Sequence, residues 1–201
     1  MKVTSLMISD PITIRENASV EEAISLMKST RIRHLPVIKD EDTLIGFLTL
    51  ADLKEGLLPS MVSGVSLKDI IVRDPITVSP DDDIEKAARL IYRHKISGLP
   101  VVEGKKLLGI LTETDILRTF IDMMGILTST SRLEVLINDN PEAFKQVVHI
   151  IQQQGGDIIN VSMTAQESRS RIFYFRLLPC NTGEIRKVLQ EEGFSVLSSL
   201  D

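Results

Sequence analysis

Apolar residues in the first two thirds of the chain recur in a fixed order of spacings. Val20, Ala23, Ile24 and Met27 fall on one face at helical spacing, and Ile84, Ala87, Ala88 and Ile91 do the same further along. Ahead of each stripe lies a short β-rich piece behind an Asp-Pro turn, over residues 12–14 and 76–78. Behind each come two apolar runs separated by Gly and charged residues, 35–38 with 44–48 and 99–102 with 107–111, which predicts a hairpin. Ser19-Val20-Glu21-Glu22 has the form of a capping box. A further helix is expected to start at Thr49 and at Thr112, with an Asp three residues on, so the predicted order is β-α-β-β-α, twice.

The two passages are copies. Asp10-Pro11-Ile12-Thr13-Ile14 returns 64 residues later as Asp74-Pro75-Ile76-Thr77-Val78, and 11 of the 28 positions from 10 to 37 match their counterparts. After a one-residue deletion, Gly46-Phe47-Leu48-Thr49-Leu50-Ala51-Asp52 aligns with Gly109-Ile110-Leu111-Thr112-Glu113-Thr114-Asp115. Three blocks repeated in order mark a duplication. One unit of about 55 residues buries little surface alone, so two units packed face to face are expected. Residues 57–65 read as the linker and 66–71 as a short lead-in helix of the second unit.

From Arg132 the pattern changes. Strands are expected over 133–137, 158–163, 171–177 and 194–197. One helix opens with Pro141 and carries Phe144, Val147, Val148 and Ile151 before Gly155-Gly156; another covers 184–192. The order β-α-β-β-α-β is that of the ferredoxin-like split unit.

Composition narrows function more than fold. Hydrophobic residues at 43% and charged residues at 25% suit a chain with a packed core. A net charge of −5 argues against nucleic acid as a partner. No apolar run approaches the roughly 20 residues of a membrane span, and no secretory signal is visible, so no membrane insertion and a cytoplasmic location are the expectation. The single cysteine, Cys180, lies in a turn-like Leu-Leu-Pro-Cys-Asn-Thr-Gly stretch and is read as incidental.

The blocks Asp-Pro-Ile-Thr, Leu-Pro-Val and Gly-x-Leu-Thr-x-x-Asp, present twice in this order over residues 1 to about 122, resemble CBS domains in the tandem arrangement called a Bateman module. With Asn138-Asp139-Asn140-Pro141 at its first strand-to-helix turn, the C-terminal third is similar to an ACT domain, and the whole resembles acetoin-utilisation-type CBS–ACT proteins. The expected fold class is therefore α/β (α+β): two CBS units at 1–59 and 60–122 related by a pseudo-two-fold, a hinge at 123–131, and an ACT-like domain at 132–201. Glu142 stands where the ACT ligand loop usually has glycine, which favours dimerisation or docking over amino-acid binding there.

The resemblance implies an adenosine-type nucleotide, such as AMP, ADP, ATP or S-adenosylmethionine, between the CBS modules. Thr49 with Asp52, and Thr112 with Thr114 and Asp115, stand at helix starts. There a carboxylate can accept from ribose hydroxyls and backbone N–H groups can meet phosphate. The same pairs also have the form of helix caps, which need no ligand. Arg33 and His34 precede the first Leu-Pro-Val at positions where the family places phosphate-contacting basic residues, whereas Ser97 and Gly98 stand in the second copy. Family geometry brings Thr77 to the first site and Thr13 to the second, and the two sites are expected to be unequal.

Asp81-Asp82-Asp83 precedes a helix whose positive end favours carboxylates, so no metal is assigned to it, and neither His94 nor His149 has a paired ligand pattern. No catalytic constellation and no required cofactor is found. The expected function is that of a non-catalytic sensor, a homodimer that relays nucleotide occupancy to itself or to a regulated enzyme or transporter. A ligand-independent docking module and an amino-acid sensor acting through 132–201 remain open beside it.

Overall fold

The computed structural model describes residues 1–56, 66–127, 130–164 and 170–201. The expected linker 57–65 lies outside them. The chain forms two compact units, Met1–Leu117 and Arg118–Asp201.

In the first unit each copy builds the predicted helix and hairpin. The first copy has β2 (Ile14–Arg15), α1 (Val20–Thr30), β3 (His34–Ile38), β4 (Leu44–Thr49) and α2 (Leu50–Gly56). The second has α4 (Ile84–His94), β6 (Gly98–Glu103), β7 (Lys106–Thr112) and α5 (Glu113–Met123), and Val78 bridges to Val101 where the first copy has β2. Ser19 and Glu22 close the predicted capping box on α1. The copies repeat their backbone where it is least ordinary. Asp10 and Asp74 both have φ of 49°, and the helix-ending Arg31 and Lys95 have φ of 58° and 54°. Left-handed backbone is rare at such residues, so its recurrence shows that the duplication extends to local geometry.

The lead-in segments are exchanged between the copies. β1 (Ile8–Ser9) pairs with β7 of the second copy, and β5 (Val72–Arg73) pairs with β4 of the first. Ahead of β1, Val3 in a 3-10 turn is fully buried among Val78, Ile84, Leu99 and Leu111 of the second copy. Ahead of β5, Leu67 in α3 (Leu67–Ile70) is fully buried among Met27, Leu35, Leu48 and Leu53 of the first. The segment expected to serve the second copy thus completes the core of the first copy, and neither copy closes its core alone.

The exchange explains the glycine of Gly-x-Leu-Thr. A Cβ on Gly109 would lie 2.8 Å from the Ile8 carbonyl oxygen, and one on Gly46 would lie 3.2 Å from that of Val72, the equivalent carbonyl. The exchanged strand passes too close for a side chain at Gly109 and leaves only tight room for one at Gly46. The hairpin tips also meet across the pseudo-dyad. Leu44 N donates to Lys105 O at 3.0 Å, Leu107 N to Asp42 O at 2.7 Å, and Lys106 pairs with Asp42 at 3.1 Å.

In the second unit β8 (Ser131–Asn138), α6 (Pro141–Gln153), β9 (Ile158–Met163), β10 (Ser170–Leu177), α7 (Thr182–Glu191) and β11 (Ser195–Leu200) form an antiparallel sheet ordered β11-β8-β10-β9. That order, with its β-α-β-β-α-β connectivity, is the split arrangement expected from the sequence. β8 alternates strictly, burying Leu133, Val135 and Ile137 against Val147 and Ile151 of α6 and Ile185 and Leu189 of α7. α7 starts two residues earlier than expected, because Asn181 accepts from Gly183 N as its cap. Asp201 adds bonds from Thr182 N at 2.7 Å and Thr182 Oγ1 at 2.6 Å, and these hold its carboxyl below the ordinary range.

Candidate functional site

The two Thr-x-x-Asp turns are superimposable in their bonding. At the end of β4, Asp52 Oδ2 accepts from both Thr49 N and Thr49 Oγ1 at 2.7 Å, while Asp52 N donates to Thr49 Oγ1 at 3.2 Å. At the end of β7, Asp115 Oδ2 accepts from Thr112 N at 2.8 Å and Thr112 Oγ1 at 2.6 Å, and Asp115 N donates back at 3.3 Å. These are reciprocal caps: the strand ends on Thr, the helix begins on the next residue, and orphan donors of the first turn are satisfied. One carboxylate oxygen does this work. Asp52 Oδ1 has no bonding partner among the described residues, so the cap leaves a carboxylate lone-pair site on a half-buried aspartate. Thr114, beside Asp115, is exposed, where the first copy has exposed Ala51.

The start of each hairpin is tied to the same turn. Leu50 N donates to Arg33 O at 2.9 Å, and Glu113 N donates to Ser97 O at 3.0 Å. Arg33 is exposed beside the first turn. His34, expected at a phosphate-contacting position, is buried. It is 8% exposed, its Nε2 shares a 2.7 Å hydrogen bond with Ser97 Oγ of the other copy, and its ring stacks on Phe47 at 5.9 Å. Burial, followed by the neighbouring Arg33 charge, pushes its pKa below the usual imidazole value, against weaker opposing pulls from Glu113, Asp115 and Asp52. The ring joins the copies through this hydrogen bond, in surroundings that disfavour its charged form. A Cβ on Gly98 would come within 3.0 Å of His34 Cδ2, so the glycine at the dyad-related position makes the room that the imidazole fills. Sequence reasoning missed this pairing, although the size match of His34 to Gly98 and the hydroxyl of Ser97 were its signal.

Thr13 and Thr77 lie on the stretches that cross between copies, Thr13 between β1 and β2 and Thr77 between β5 and Val78. Thr77 opens onto a cleft of about 600 Å³ between the copies, and Thr13 onto an open groove against α1 beside Ala18 and Glu22.

The remaining candidates have other duties. Asp82 accepts from Lys86 Nζ at 2.8 Å and from Ser79 N, and Asp83 accepts from Lys2 Nζ at 2.9 Å. Both carboxyls are held below their ordinary range by these lysine bonds, and Lys2 is raised by its bond to Asp83. Cys180 contributes its backbone, donating to and accepting from Ser131 Oγ. In the second unit a recess of about 250 Å³ lies at the Asn138–Pro141 turn, between Phe144, Phe173 and Arg171, whose guanidinium pairs with Asp139 at 3.5 Å. Among the described residues no helix is long and apolar enough to cross a membrane.

With duplicated hairpins, exchanged lead-in strands and twin capped turns in view, comparison with known proteins places the chain. The CBS domain model matches residues 3–58 and again 67–122, and the protein belongs to the CBS-domain family. It is 33% identical to the protein MJ1225 of Methanocaldococcus jannaschii over 123 residues, 61% of this chain and 42% of that one. It is 37% identical to a homoserine O-acetyltransferase of Methanococcoides burtonii over 117 residues, 58% of this chain and 23% of the relative. The chain thus spans less than half the length of these curated relatives, and its likeness to the one named as an enzyme is partial. Among solved structures, the CBS domain pair of MJ0100 in complex with 5′-methylthioadenosine and S-adenosyl-L-methionine matches with a TM-score of 0.56 and 30% identity, over 60% of this chain and 95% of that one. CBSX2 of Arabidopsis thaliana in complex with AMP matches with 0.54 and 30%, over 60% and 96%. A Vibrio cholerae protein described as an acetoin utilization protein, AcuB, matches with 0.56 and 28%, over 63% and 94%.

Proposed function

We propose that the chain is a non-catalytic sensor that holds an adenosine-type nucleotide, AMP, ADP, ATP or S-adenosylmethionine, between its two CBS copies. The carrying observation is the twin Thr-x-x-Asp turn: each cap uses one oxygen of its aspartate, and at Asp52 the second oxygen is left for a ligand. Asp52 and Asp115 accept from ribose hydroxyls. Thr49, Thr112 and Thr114 line the turns, and Arg33 supplies the phosphate-facing charge in the first copy alone. Thr13 and Thr77 stand on the crossing stretches, and the family resemblance assigns Thr77 to the first site and Thr13 to the second. The neighbours in complex with 5′-methylthioadenosine, S-adenosyl-L-methionine and AMP support the ligand class.

Occupancy works through the joint between the copies. A ligand shifts a conformational equilibrium only by its differential affinity for two arrangements, and the His34–Ser97 bond and the hairpin-tip bonds are contacts whose register such a ligand would favour or oppose. The relay ends at the protein's own dimer or at a regulated enzyme or transporter in the cytoplasm, with domain limits 1–59, 60–122, 123–131 and 132–201. Mass spectrometry of small molecules released from the purified protein tests the reading. An adenosine-containing mass supports it, and a different class of ligand in stoichiometric amount refutes it.

A second reading rests on the recess at the Asn138–Pro141 turn. As an ACT-like domain, residues 132–201 would sense an amino acid there, with Arg171 receiving its carboxylate. Melting shifts with free amino acids that vanish in Arg171→Ala would support it, and unshifted melting across all twenty would end it.

A further inference from the structure

The cleft of about 600 Å³ at the hairpin end of the first unit carries charge that the nucleotide reading does not use. Lys39 and the Thr43 hydroxyl come from the first copy; Arg73 and Lys105 come from the second. None of the three cations has an ion-pair partner among the described residues, although Lys106, next to Lys105, pairs with Asp42. Leu44, Ile45 and Val102 supply an apolar floor.

Comparison of the copies shows that the fold does not require these cations. The positions equivalent to Lys39, Arg73 and Lys105 in the duplication are Glu103, Ser9 and Asp42. The same backbone therefore carries three positive groups on one side of the pseudo-dyad and two acids with a serine on the other. Two carboxylates, Asp40 and Asp74, also line the cationic cleft. They leave a net excess of one positive charge.

We propose that this cleft is a second ligand site, separate from the Thr-x-x-Asp turns, that takes the phosphate group of a small phosphorylated molecule. Lys39, Arg73 and Lys105 bind the phosphate oxygens, with Arg73 offering paired donors and Thr43 a hydroxyl. Because Lys39 and Thr43 belong to one copy and Arg73 and Lys105 to the other, the bound anion bridges the hairpins and stabilises one arrangement of the pair. Free phosphate, pyrophosphate and the tail of a nucleotide all present the same chemistry to the cleft.

The chain supplies its own test variant. Lys39→Glu with Arg73→Ser installs the dyad-related residues, which the fold already tolerates at equivalent positions. Pyrophosphate, inorganic phosphate, AMP and phosphate-free adenosine are titrated calorimetrically into the intact protein and the variant, up to about 10 mM ligand so that millimolar affinities register. A control, Lys28→Glu with Arg89→Ser, makes the same charge change on exposed helix positions of α1 and α4. Pyrophosphate should bind the wild type and the control, and bind the cleft variant at least tenfold more weakly. Adenosine binding should be the same in all three, so loss of the nucleotide reading would show there and not in the pyrophosphate arm. A wild-type protein that takes up neither pyrophosphate nor phosphate overturns the proposal. Equal weakening in the control and the cleft variant, or none in either, overturns it as well.

Discussion

Leu67 gives the sharpest test of the exchanged architecture. It follows the first copy in sequence and opens the second, yet its side chain is 0% exposed within a cluster containing Met27, Leu35, Leu48 and Leu53 of the first copy. Truncation to alanine removes three carbons from a packed site, and fully buried Leu→Ala changes cost about 2–5 kcal/mol, the spread reflecting how far the site collapses. A loss of about 3 kcal/mol in a unit of this size lowers the melting temperature by roughly 10 °C. Which core it perturbs is read from a double-mutant cycle in urea. Leu67→Ala should couple with Leu53→Ala in the first core by more than about 0.5 kcal/mol, and should add independently, within about 0.5 kcal/mol, with Leu99→Ala in the second. Coupling to Leu99 and additivity with Leu53 would refute the exchange, because that is the result if each copy keeps its own lead-in.

Other outcomes follow from the same structure. Gly109→Ala forces a Cβ to within 2.8 Å of the Ile8 carbonyl oxygen and should cost about 1–3 kcal/mol in chemical denaturation; a neutral result would mean that β1 does not pack there. Thr49→Ala removes the cap hydroxyl and should cost about 0.5–2 kcal/mol, measured in the same way, with no ligand present. The folded pKa of His34 lies below its unfolded value of 6.5. Its share of stability is therefore complete above that pH and is lost as pH falls below it toward the folded pKa, because the unfolded chain takes up the proton first. His34→Gln should flatten the decline of stability just below pH 6.5, and an unchanged slope would assign that decline to other groups.

The hairpins, the α1 and α4 stripes and the ferredoxin-like order were legible in the sequence because each rests on a period or cap that spans many residues. The exchanged strands were not. β1 and β5 are two residues long, too short for alternation to show, and nothing local in Ile8–Ser9 or Val72–Arg73 says which copy's edge will receive it. Their trace lies in their partners, the glycines at 46 and 109, whose missing side chains make sense only beside a passing backbone. The caps at Thr49–Asp52 and Thr112–Asp115 were readable from spacing alone. The burial of His34 was not legible, because a histidine before a strand has no local sign of burial; what buries it is the other copy, through Ser97 and Gly98. Long-range pairing of this kind leaves its mark in differences between the repeats rather than in either repeat.

The central claim is that the capped aspartates hold the ribose of an adenosine nucleotide. Asparagine keeps an oxygen that can accept the cap bonds but removes the carboxylate, so Asp52→Asn with Asp115→Asn separates binding from folding. Calorimetric titration of AMP and S-adenosylmethionine into the wild type and this variant measures both. Saturable binding to the wild type, reduced at least tenfold in a variant that melts normally, is the predicted result. No binding of either compound to the wild type at millimolar concentration, or undiminished binding to the variant, would contradict it.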